Sequence, residues 1–96
     1  MTDQQLLESV KTDKRISVSA YDTRLQDVIA SAKQAIMAEG AQTLDASASA
    51  EDAQLVIMYA DWLWDMTSDP ALAMPRGLRR KLNNRIFAEK MRGSEG

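Results

Sequence analysis

The stretch AQLVIMYADWLWDM, residues 53–66, decides how this chain folds. On a helix, Leu55, Val56, Ile57, Met58, Tyr59, Trp62, Leu63, Trp64 and Met66 leave almost no polar face. Only Gln54, Asp61 and Asp65 interrupt them, and spacings of seven and four place these three on one narrow line. A helix apolar nearly all round is expected to be buried nearly all round. Ser49, with Asp52 three residues later, marks its start, and the helix is predicted to run to about Thr67. Trp62 and Trp64 lie about 200° apart on it. One is therefore expected in the core, and the other beneath the first helix or against a neighbouring molecule. The longest uninterrupted apolar run, Leu55–Ala60, is far too short to span a bilayer.

On the N-terminal side, residues 21–39 give the clearest amphipathic pattern. Apolar side chains at 21, 25, 28, 29, 32 and 36 fall within one stripe about 100° wide. Asp22 suits the positive end of that helix, and Gly40 stands where a left-handed C-terminal cap is wanted. Residues 41–48 read as a loop. Upstream, Thr2 and Gln5 form a capping box for a helix over Asp3–Lys14, whose thin apolar content (Leu6, Leu7, Val10) requires docking. The linker Arg15–Ala20 carries Ile16 and Val18, both expected to plug the bundle.

On the C-terminal side, Ser68-Asp69-Pro70 ends the central helix and Met74-Pro75 opens a fourth. Leu78, Leu82 and Ile86 stack as its core face, with Phe87 and Met91 roughly 100–140° round from that stripe. Either the helix bends after Asn84 and tucks both into the core, or they anchor another subunit, as apolar groups rimmed by arginine do at interface centres. The expected fold class is all-α: a small four-helix bundle with the third helix central, one domain over residues 1–92, and a frayed tail over 93–96.

Composition narrows the function. The chain has 96 residues and neither cysteine nor histidine. Disulfides, thiolate metal sites and the commonest general base are thereby excluded. Asp61 and Asp65, one turn apart, read as two solvated carboxylates, since nothing near them in sequence adds further ligands. With no nucleophile elbow, P-loop or glycine-rich cradle, neither an enzyme nor a cofactor is expected. The polar start Thr2–Gln5 does not read as a signal peptide.

Charge is uneven. Residues 1–70 hold 5 basic and 12 acidic side chains (net −7), whereas residues 71–96 hold 7 basic and 2 acidic (net +5). Such halves attract each other between copies or meet different partners. The basic helix reads either as a solvated face paired with its own bundle, as a contact for an acidic protein surface, or as a recognition helix of a small DNA-binding regulator. A pI near 5.0 speaks against the last. Arg76, Arg79, Arg80 and Arg85 are the candidate charged contacts to a partner, and Phe87 and Met91 the candidate apolar anchors.

The order of these pieces resembles the head–tail connector (head completion, or adaptor) proteins of long-tailed phages and prophages. The matching stretches are KTDKRIS (11–17), YDTRLQDVIASAKQAI (21–36), AQLVIMYADWLWDM (53–66) and MPRGLRRKLNNR (74–85). Within them stand Asp22, Leu25, Ile29 and Ala32 on the second helix, and Pro75, Gly77, Leu82 and Arg85 at the last. The resemblance implies a structural virion protein that assembles as a ring, usually twelvefold, beneath the portal protein of a filled head. Such a ring extends the DNA channel without reading sequence and offers a platform to a tail-proximal connector or stopper. Its implied places are the host cytoplasm during assembly and then the head–tail junction, with no membrane partner.

Overall fold

A computed structural model describes the backbone of residues 1–95 and the side chains of residues 1–92. Four α-helices follow in order, α1 (Asp3–Asp13), α2 (Asp22–Ala38), α3 (Ala50–Met66) and α4 (Arg76–Glu95), with a 3-10 turn at Ser19–Tyr21. No strand occurs among the described residues, so the chain is all-α. The tail expected over 93–96 falls outside the residues whose side chains are described.

Each helix starts or stops where its local chemistry requires. Thr2 Oγ1 accepts from the Gln5 amide at 3.1 Å and Gln5 Oε1 accepts from the Thr2 amide at 2.9 Å, the reciprocal capping box. Ser49 Oγ caps α3 by accepting from the Asp52 amide at 3.2 Å. The ends of α1 and α2 share one solution. At α2, Gly40 N–H donates to the Met37 carbonyl and Ala41 N–H to the Ile36 carbonyl, with Gly40 at φ +136°. At α1, Arg15 N–H donates to Thr12 and Ile16 N–H to Lys11, with Arg15 at φ +57°. Both are Schellman closures, and both reverse the chain so that the next residue turns inward.

The core joins Leu6, Leu7 and Val10 of α1, Leu25, Ile29, Ala32 and Ile36 of α2, and Leu55–Ile57, Tyr59 and Ala60 of α3. Among the described side chains of α4 only Leu78 and Leu82 are fully buried, with Ile86 packed at the edge. Helix α3 packs against each of the other three, which makes it the centre of the bundle as its sequence predicts. Fully burying a leucine of this set is worth about 1.5–3 kcal/mol.

Two expectations about apolar placement are corrected. Neither tryptophan is a core residue: both are half-buried, each covered by other parts of its own chain. The Trp62 indole N–H donates to the Leu72 carbonyl at 3.2 Å and its ring meets Tyr59 edge-on. Trp64 meets Tyr21 edge-on at 5.9 Å and lies under the Arg24 guanidinium at the same distance. Val18, expected to plug the bundle beside Ile16, is instead 52 % exposed. Ile16 is half-buried against the core, because the left-handed turn at Arg15 points it inward.

Candidate functional site

Helix α4 has two opposed faces. Its inner face is anchored by Leu78 and Leu82 and, beside them, by Arg85. Arg85 Nε donates to Asp52 Oδ1 at 2.8 Å, Nη1 donates to Glu89 Oε1 at 3.3 Å, and Nη2 donates to Thr43 Oγ1 at 3.0 Å. Arg92 Nη1 also donates to Thr43 Oγ1, at 2.9 Å, while the Thr43 amide donates to Glu89 Oε1 at 2.7 Å. This network ties the helix to the 41–48 loop and to the first turn of α3. The Asp52 carboxylate beside it raises the Arg85 pKa above its ordinary value. The charge of Arg85 is thus turned inward, to the fold rather than to a partner.

The outer face carries the other candidates. Arg76, Arg80, Asn83, Phe87 and Met91 fall within a stripe about 80° wide by helical geometry, and all five are exposed. Phe87 is 64 % exposed and Met91 50 %, so the helix does not bend to tuck them into the core. Arg79 lies beside the stripe, 3.7 Å from Glu39 in an exposed pair that contributes at most about 1 kcal/mol. At the start of the stripe a shallow hollow is lined by Met74, Arg76, Arg79, Arg80, Asn83 and Asn84, with no acidic residue. Of the six predicted contacts, the structure brings Arg76, Arg79, Arg80, Phe87 and Met91 to the outer side of α4 and sets Arg85 apart.

One group escaped the sequence reading. Asp65 is held by Lys14 Nζ at 2.8 and 3.0 Å, but Asp61 is not the solvated carboxylate expected. Its Oδ1 is buried without a hydrogen-bond donor, and its carboxyl meets that of Asp13 at the end of α1. Burial, reinforced by the Asp13 carboxyl and by Asp65 against the opposing pull of Lys14, pushes the Asp61 carboxyl up to about 8. The signal available in sequence was Asp13 at the negative end of α1, an unfavoured place for a carboxylate.

Among the described residues no group of three or more carboxylates could hold a metal ion, and no helix is long and apolar enough to cross a membrane. Comparison with protein-family models, with curated proteins and with solved structures gave no match.

Proposed function

We propose that this chain is a structural assembly subunit, a head–tail connector of a long-tailed phage or prophage. In this role it forms a ring at the portal vertex, joins the DNA-filled head to the tail and extends the DNA channel, with no catalytic step. The observation that carries the reading is the outer face of α4, where Phe87 and Met91 keep half or more of their surface exposed on a helix rimmed by Arg76, Arg79 and Arg80. Exposed apolar anchors flanked by arginine have the composition of an interface centre. The resemblance of residues 11–17, 21–36, 53–66 and 74–85 to connector proteins supplies the portal or a ring neighbour as the partner of this face.

The test is attachment of tails to portal-bearing heads supplied with Phe87→Ser/Met91→Ser protein. Attachment is expected to fall at least tenfold while the helical content stays unchanged. Attachment equal to that of the original chain overturns the reading. Removing the chain after Asn84 is a poorer test, because it also deletes Arg85 and its clamp on Asp52.

The same acid-free basic face favours a second reading, a small DNA-binding regulator. It requires duplex binding that weakens steeply with salt, and a mobility-shift assay without binding at low salt dismisses it.

A further inference from the structure

We infer that the outer stripe of α4 docks head-to-tail into an acidic groove between α1 and α3 of a second copy of this chain. The inference rests on the reading of α4 as a contact helix and names its partner. The groove is lined by Glu8, Ser9, Thr12, Asp13, Gln54 and Ile57, with no basic residue. Glu8 and Asp13 are exposed on its α1 wall, and neither belongs to a salt bridge among the described residues, although Glu8 accepts from Gln4 Nε2 and the Asp13 carboxyl also meets Asp61. Ile57, at the edge of the core, gives the groove an apolar floor.

The stripe is the counterpart. It carries no acidic side chain, and Arg76 and Arg80 likewise belong to no salt bridge among the described residues. Glu8 and Asp13 stand about 7.5 Å apart in rise and about 140° apart around α1, one towards each side of the groove. Arg76 and Arg80 stand about 6 Å apart in rise on one side of α4, so the long arginine side chains must spread to reach both. Opposite charges placed so steer and register an interface.

The two surfaces cannot meet within one molecule. Helix α4 lies on the other flank of α3, where Lys81, Asn84 and Arg85 face Glu51, Asp52 and Leu55. Its outer stripe looks away from its own body. Complementary surfaces on different sides of one chain make a heterologous contact. Repeated, such a contact closes into a ring or continues as a filament, according to the angle between copies.

The test uses charge reversal on exposed positions, with circular dichroism to confirm folding. In sedimentation at about 50 mM salt the original chain is expected to self-associate, and to do so at least tenfold more weakly at high salt. Glu8→Lys/Asp13→Lys and Arg76→Glu/Arg80→Glu proteins are each expected to associate at least tenfold more weakly on their own. An equimolar mixture of the two is expected to associate again, because each then offers the complement of the other, and the fourfold variant restores self-association in one chain. A chain that stays monomeric at low salt overturns the inference, as do reversed variants that associate like the original or a mixture that does not recover. Head attachment separates the two levels. Monomeric protein that still needs Phe87 and Met91 to attach tails removes only this inference, whereas self-association without attachment removes only the portal reading.

Discussion

Arg85 reaches Asp52, Glu89 and Thr43 at once, and Asp52 is only 6 % exposed. Arg85→Ala leaves that carboxylate with the Asp45 amide as its remaining long-range donor. The expected loss is about 2–3 kcal/mol, read as a lower urea midpoint. Arg85→Lys recovers part of it, since an ammonium cannot reproduce a forked set of donors. Asp61 gives a prediction in pH. Its carboxyl titrates at about 8 in the folded chain and near 3.9 when unfolded. The folded state thus keeps a proton that the unfolded state releases, and stability falls as pH rises from about 4 to about 8. Asp61→Asn removes this slope. Above pH 8 the variant is expected to be more stable by roughly 1–2 kcal/mol, a figure discounted for partial solvent exposure, and at pH 4 the two should melt alike. Parallel curves across the range would refute the assignment. Neither residue was legible in the sequence. Helical periodicity gives the side of α4 on which Arg85 lies, but not that a carboxylate 33 residues earlier awaits it.

At the level of elements, the helix ends carry the most direct tests. Gly40 sits at φ +136°, and a Cβ there would meet Ile86 Cγ2 at 3.1 Å. Gly40→Ala is expected to cost about 1–2 kcal/mol through strain and crowding. Arg15 adopts a left-handed conformation in the same kind of closure, so Arg15→Gly is expected to raise thermal stability by about 0.5–1 kcal/mol. A lower melting temperature for this variant would contradict that account. The capping box at Thr2, the Ser49 cap and the Gly40 closure were all readable, because each is written within a few residues. The turn at Arg15 was not, since arginine carries no signal for positive φ. The sequence also overstated the bare surface of α3. The cover over Trp62 comes from the 67–75 segment, which has no periodicity to announce it, and that over Trp64 from Tyr21 and Arg24 at the start of α2, whose approach to α3 no local pattern gives.

For the whole molecule, α1, α2 and α3 form a shared core and α4 adds only Leu78, Leu82 and the edge residue Ile86 to it. This leaves the full outer side of α4 for contact, and Phe87→Ser/Met91→Ser protein should keep its unfolding free energy within about 0.5 kcal/mol while losing attachment. The all-helical class and the central place of α3 followed from the apolar pattern of residues 53–66. The proposed contact surface was legible as far as charge and helical angle go, which set Phe87 and Met91 off the core stripe but left open whether a bend after Asn84 tucks them in. The acidic groove proposed to receive it was not, because Glu8, Asp13, Gln54 and Ile57 come together only when α1 lies against α3. The two half-buried indoles have an optical consequence. Trp62 sits under the segment that leads into α4, and Trp64 sits beside the entry to α2. With no other tryptophan in the chain, Trp64→Phe and Trp62→Phe proteins each keep a single emitter. Red-shifted fluorescence from the first would then mark α4 lifting away, and from the second the opening of the α1–α2 corner, so that two parts of one small bundle can be followed separately in a cuvette.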